Sequence, residues 1–303
     1  MISMRGLIIG FGNMGKTHYE RYSDLGIRVD VVDVDETKLQ DAKSVGLKGY
    51  KSLSEFPDFQ KIDFFDICTP THLHYKHIIE AAKYHKPIIV EKPIVRTLRE
   101  ANKLRNKSDL PLLFVAEVEH YNPALSRFLN YKGHPRLIEI SREINLDFFL
   151  EGTMAWVLIE ALSGGIVFDA MIHDINLIVS KYGKPKIRNV TARSIKRSYI
   201  DEVVVDLSFK NLEARLHCTW SSDDKDKPVK TSIRIHEING NLINISCDSY
   251  IIRDKPKEED AFHHEIKAFI SAIKSGKTPY LLESYLDAIE VAHKINKRLI
   301  ANK

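Results

Sequence analysis

Residues 7–15 read Leu7-Ile8-Ile9-Gly10-Phe11-Gly12-Asn13-Met14-Gly15, an apolar run that ends in glycines spaced G-x-G-x-x-G. The run predicts a buried strand, and the pattern after it predicts a helix beginning near Met14. Alone, such a glycine string says little. Here a second apolar run, Val29-Asp30-Val31-Val32, follows the helix and ends on Asp33. Strand, glycine turn, helix, strand and acidic residue make up the pattern of a dinucleotide-binding unit. Each glycine has its own reason. Gly10 allows a tight turn, Gly12 lets the backbone approach a pyrophosphate, and Gly15 lets the helix lie close to the strand. The turn through Phe11, Asn13 and Met14 then presents free N–H groups, and the positive end of the helix, to the phosphates. Asp33 is expected to accept hydrogen bonds from the adenosine ribose and to repel a 2′-phosphate. The cofactor expected is NAD in preference to NADP.

The rest of the chain fits a protein with a small-molecule substrate. Its 303 residues suit two domains, and its 44% apolar and 28% charged residues suit a globular protein. The net charge of +4 is mild and the charges are interleaved, so no nucleic-acid stripe is read. Three cysteines, Cys68, Cys218 and Cys247, form no C-x-x-C pair. No disulfide framework is expected, nor a signal peptide or membrane span, and the expected location is the cytoplasm.

Strands and helices alternate up to Tyr121: short apolar strands at Gly6–Ile9, Val29–Asp33, Phe64–Cys68, Pro87–Val90 and Leu112–Val115, with helical patterns between them. This predicts an α/β fold built on a doubly wound parallel sheet over residues 1–121. Beyond it the helices drop out. Runs at Leu137–Ile144, Val190–Ile195, Val203–Phe209, Ala214–Trp220, Lys230–His236 and Leu242–Ser246 follow, with Asn239-Gly240 as a hairpin turn. Residues 122–303 are therefore read as an α+β domain with an open, mainly antiparallel sheet, closed by helices Ala261–Lys274 and Glu283–Ala301. Val204, Leu216 and Ile235 are expected on the open face. Such a face invites a homodimer or homotetramer.

Ligands of a doubly wound sheet sit at the carboxyl ends of its strands, which makes three motifs informative. The turn Cys68-Thr69-Pro70-Thr71-His72-Leu73-His74 follows the third long strand; Thr69, Pro70 and His74 are expected to line the cofactor. Glu91-Lys92-Pro93 ends the next strand, where Glu91 can reach a ribose and Lys92 a substrate oxygen or the nicotinamide amide. In the second domain, Asp169, His173 and Asn176 stand at i, i+4 and i+7 of a helical stretch, Gly165–Tyr182. A carboxylate one turn before a histidine can orient the ring and raise its basicity. Asp174 falls elsewhere on that helix. No set of residues has metal-ligand spacing, since His72/His74 and His263/His264 lack a third partner, and no G-x-S-x-G elbow is present. No bound metal is expected. Arg142, Trp156, Arg193, Trp220 and His236 are candidates for reading a substrate.

In order and spacing, the glycine turn, the threonine–proline turn, Glu91-Lys92-Pro93 and Asp169-x-x-x-His173 resemble the Gfo/Idh/MocA oxidoreductases over nearly the whole chain. The resemblance implies an N-terminal Rossmann domain, a tightly held NAD, hydride transfer at a sugar carbon, and Lys92, Asp169 and His173 as the catalytic set. Asn176 replaces an aspartate common in the family, and Met171 a glycine. Val118–Ala124 further resembles a segment of the UDP-N-acetylglucosamine 3-dehydrogenase-like members, with His120 and Tyr121 replacing arginine and phenylalanine. Glu119, Tyr121, Asn122 and Asn176 would then touch substrate, a sugar, sugar nucleotide or cyclitol. The alternatives are an NAD-binding sensor without turnover and a lyase- or glycosidase-like member that recycles its NAD.

Overall fold

The computed structural model describes residues 4–150, 158, 163–247 and 260–301. They divide into two compact units. One contains residues 1–95, 102–118 and 262–282; the other contains 96–101, 119–261 and 283–303. In chain order the described α-helices are α1 (Asn13–Asp24), α2 (Glu36–Ser44), α3 (Thr71–Ala82), α4 (Leu98–Arg105), α5 (Pro123–Asn130), α6 (Leu146–Leu150), α7 (Ile172–Tyr182), α8 (Ala261–Ser275) and α9 (Leu282–Ala301). None of them is long and apolar enough to cross a membrane.

The first unit holds six strands: β1 (Arg5–Ile9), β2 (Arg28–Val32), β3 (Gly49–Tyr50), β4 (Phe64–Ile67), β5 (Ile88–Glu91) and β6 (Leu113–Ala116). Their order is β3-β2-β1-β4-β5-β6 and every pair is parallel. This is the doubly wound Rossmann order, with its switch between β1 and β4. β4, β5 and β6 are buried along their whole length, as strands covered on both faces must be.

Helix α8, far along the chain, supplies part of this core. Phe262, Ile266 and Phe269 lie on its buried face. The Phe269 ring meets Phe64 of β4 edge-on at 5.3 Å and Phe114 of β6 at a tilt at 5.4 Å, and edge-on contact is among the geometries aromatic pairs favour. A sequence division at residue 121 assigns this helix to the second domain; its aromatic side chains are packed within the first unit.

The second unit carries β7 (Pro135–Ile144), β8 (Lys186–Arg193), β9 (Glu202–Ser208), β10 (Glu213–Thr219), β11 (Val229–Glu237) and β12 (Leu242–Cys247), ordered β12-β11-β7-β10-β9-β8. Only β7 and β10 pair in parallel; the other neighbours are antiparallel. Alternation sorts the faces. Ile138, Ile140, Val205, Leu207, Leu216 and Ile235 are buried together. This corrects the expectation that Leu216 and Ile235 lie on the open face: each is in phase with the buried residues of its own strand, Ala214 and Cys218 on β10, Ile233 on β11. The opposite face is polar. Arg215 binds Asp206 at 2.7 Å, His217 meets Glu202 at 3.0 Å and His236 meets Glu139 at 2.8 Å.

Two local departures bear on the motifs. Helix α3 begins at Thr71 rather than His74, with Pro70 at its N-cap. The stretch before α7 opens with a π-helical turn, Val167–Met171, so Asp169 lies in a wider turn than the α-helical one its spacing predicts.

Candidate functional site

In the first unit the glycine turn has the three properties that a pyrophosphate needs. Gly10 has φ +95°, and a Cβ there would sit 2.9 Å from the Cys68 and Thr69 backbone. At Gly15 a Cβ would lie 2.1 Å from the Gly10 carbonyl oxygen. At Gly12 a Cβ would meet nothing within 4 Å. Two glycines are thus demanded by packing, while the middle one leaves an open cradle. Helix α1 starts at this cradle with Gly12 as N-cap, no capping side chain and no acidic residue in its first turn. Its N–H groups and positive end are left for an anion. By contrast, α2 is capped by the Asp35 carboxylate, which accepts from the Thr37 N–H at 2.8 Å. These features fit a dinucleotide.

Asp33 is half-buried just past β2. Its carboxylate accepts from the Phe11 N–H at 2.7 Å and from the Asp35 N–H at 2.9 Å. It therefore ties the glycine turn to the end of β2 with one lone pair on each oxygen, and a second on each remains to accept from ribose hydroxyls.

The threonine–proline turn and the Glu91-Lys92-Pro93 turn are joined by His74, which is 1% exposed. Its Nδ1 lies 2.8 Å from the Pro93 carbonyl oxygen and its Nε2 2.7 Å from that of Thr69. Burial is the largest influence on the His74 pKa and pushes it down, against the two carbonyl contacts; the ring spans the two turns. Its ring nitrogens are spent on backbone, not on a cofactor. The Thr69 hydroxyl meets His77 Nδ1 at 3.0 Å; burial and Lys76 push the His77 pKa down to about 4. Lys92 is half-buried, and its N–H donates to Glu91 Oε2 at 3.1 Å.

Under this turn lies a cluster that sequence reasoning missed. His18 of α1 is fully buried, with Nδ1 2.9 Å from Asp66 Oδ2 and 3.5 Å from Cys68 Sγ. Its Nε2 faces Glu91 Oε1 at 3.3 Å and Glu265 Oε2 at 3.9 Å. The signal was present: Asp66 interrupts an otherwise apolar strand. His18, Asp66 and Cys68 also have the composition of a metal-binding group.

In the second unit, His173 and Asn176 are buried on α7 and Asp169 is half-buried in the π turn before it. The beginning of α7 is fixed by a buried ion triad. Arg142, 1% exposed, donates to Asp174 at 2.8 and 3.1 Å and to Glu119 at 2.7 Å. Burial alone would lower the Arg142 pKa, but Asp174 and Glu119 raise it further above its ordinary range. Asn122 caps α5, accepting from the Ala124 N–H at 3.0 Å, and donates to Glu119 at 3.0 Å. Glu119, Asn122 and Arg142, all read as substrate contacts, are thus engaged in one internal network. Tyr121 beside them is half-buried. Of the remaining candidates, Trp220 is buried, Arg193 is exposed and His236 belongs to the polar sheet face. Trp156 lies outside the described residues.

Together, the strand order and the anion-ready glycine turn define a dinucleotide-binding Rossmann unit. Residues 4–108 match the model of an oxidoreductase family with an NAD-binding Rossmann fold, Gfo/Idh/MocA. Over longer spans the chain is 24% identical to myo-inositol 2-dehydrogenase of Thermotoga maritima, covering 91% of this chain and 90% of that one. It is 25% identical to UDP-N-acetylglucosamine 3-dehydrogenase of Acidithiobacillus ferrooxidans, over 58% of this chain and 54% of that one. Among solved structures, GenD2 from gentamicin A biosynthesis, in complex with NAD, superposes with a TM-score of 0.83 at 18% identity, covering 100% of this chain and 96% of that one.

Proposed function

We propose that this protein is an NAD-dependent dehydrogenase acting on a secondary alcohol carbon of a sugar, sugar nucleotide or cyclitol. The observation that carries the reading is the glycine turn: an open cradle at Gly12 before an uncapped helix, on a sheet whose β5 leads directly into Lys92. Relatives named for inositol and sugar-nucleotide oxidation support the substrate class.

When bound, NAD supplies the hydride acceptor. In this reading His173 takes the hydroxyl proton at a ring nitrogen, and Asp169, one turn earlier, orients that ring. The Lys92 ammonium would donate to a substrate oxygen and stabilise its developing negative charge. Reduction uses the same groups in reverse. Assembly as a homodimer or homotetramer, with the polar sheet face at the interface, belongs to this reading; light scattering that finds a monomer at micromolar concentration opposes it.

The test is the appearance of reduced nicotinamide absorbance when the NAD-loaded protein is offered myo-inositol, free hexoses and UDP-N-acetylglucosamine. Turnover with one class supports the reading. A cofactor that stays oxidised with all three, while binding tightly, opposes it.

A further inference from the structure

We propose that His18 is a positioning residue for Lys92, a buried histidine bridging Asp66 and Glu91 that fixes the turn carrying the lysine. The inference rests on the reading of Lys92 as a group that touches substrate.

A chain of contacts within one unit links the two residues. His18 Nε2 faces Glu91 Oε1 at 3.3 Å, and the other oxygen of that carboxylate, Oε2, accepts from the Lys92 N–H at 3.1 Å. The far end of the turn is held independently, since the Pro93 carbonyl meets His74 Nδ1 at 2.8 Å. Lys92 therefore sits between Glu91, which the His18 ring faces at ion-pair distance, and Pro93, which His74 holds. His18 belongs to α1, the helix whose N-terminus forms the phosphate cradle, so one side chain couples the cofactor turn to the lysine turn.

The protonation state follows from what surrounds the ring. Asp66 and Cys68, from β4 and the residue after it, face Nδ1; Glu91 of β5 and Glu265 of α8 face Nε2. Tyr22 of α1 stands edge-on to the ring at 6.4 Å, and Glu117, just past β6, raises the pKa of Glu265. An acidic group on each side of an imidazole calls for an N–H on both nitrogens. Burial alone would push the His18 pKa down, but Asp66 and Cys68 outweigh it and the pKa stands well above the ordinary value. Glu265 and Cys68 are themselves pushed up, first by burial. A single buried imidazolium then answers Asp66 and Glu91.

The test has two readouts, neither of which needs a substrate. The first is 15N NMR of histidine-labelled, NAD-loaded protein: His18 should show two protonated ring nitrogens at about pH 8, where a free histidine is neutral. The second is the rate at which acetic anhydride acetylates Lys92, followed by mass spectrometry. His18→Asn should change that rate at least about threefold relative to the other lysines, since displaced reacting groups respond steeply to small shifts. Should His18→Asn not fold, Glu91→Gln serves: it keeps the shape, removes one charge, and should lower the pH at which His18 loses its proton. A neutral His18 ring at that pH, unchanged Lys92 reactivity, or a stoichiometric metal ion bound at His18, Asp66 and Cys68 overturns the inference. A Lys92→Ala enzyme with full turnover would sink the reading of Lys92 while leaving the NMR result for His18 intact, so the two failures are distinct.

Discussion

The Phe11 N–H donates to the Asp33 carboxylate at 2.7 Å, so the residue proposed to select the ribose also anchors the glycine turn. The two roles separate under substitution. Asp33→Asn keeps an oxygen for the Phe11 N–H and loses the charge that repels a 2′-phosphate; it should narrow or reverse the preference for NAD over NADP. Asp33→Ala loses the anchor too, and hydrogen bonds to a charged partner are worth about 1.5–3 kcal/mol. Both cofactors should then bind roughly 10-fold or more weakly. Fluorescence titration of the two variants checks this; tighter binding of NADP than NAD by the unmodified protein would contradict the cofactor assignment.

The glycines should behave differently from one another. A methyl group at Gly12 meets nothing within 4 Å in the protein, whereas one at Gly15 meets the Gly10 carbonyl oxygen at 2.1 Å. Gly12→Ala is expected to keep the melting temperature and lose NAD affinity. Gly15→Ala should lose both, because the helix must move off the turn. Calorimetry beside a binding titration makes the comparison, and equal melting temperatures for the two variants would oppose the packing argument.

Arg142 is buried between Glu119 and Asp174. Removing one member of such a group leaves uncompensated charge inside the protein, at a cost of about 3–5 kcal/mol. Arg142→Ala should therefore lower stability to denaturant steeply. A variant with wild-type stability that merely binds substrate less well would show instead that Arg142 reads the substrate.

Stability should also fall on the alkaline side because of His18. Its folded pKa lies well above the ordinary value for a histidine. Its contribution is complete below the unfolded pKa and disappears as pH rises through the folded one. Denaturant midpoints measured across neutral to alkaline pH should decline more in the wild type than in His18→Asn. Parallel declines would oppose a buried imidazolium.

The first unit was legible because its features are local. Glycine spacing, apolar strands and the acidic residue after β2 each lie within a short stretch. What sequence could not supply was partnership at long range. The amphipathic pattern of α8 says that Phe269 is buried, but not that it packs on Phe64 and Phe114. Similarly, Glu119-His120-Tyr121-Asn122 stood out as a polar segment, yet only the fold brings Arg142 and Asp174 to it and joins them in one internal network. Two misreadings were avoidable. Leu216 shares the phase of Ala214 and Cys218, and Pro70 marks the start of α3 by its fixed φ. The π turn before His173 has no signal in the sequence that we can identify.

Lys92 and His173 are proposed to perform the chemistry while the glycine turn holds the cofactor. The most direct measurement compares Lys92→Ala and His173→Ala with the wild type for both turnover and NAD affinity, on the sugar or cyclitol that reduces NAD fastest. Losing either group should lower turnover on the order of 10²–10⁴-fold, with NAD affinity close to wild type because the phosphates are held at Gly10–Gly15. Full turnover in either variant would contradict the account.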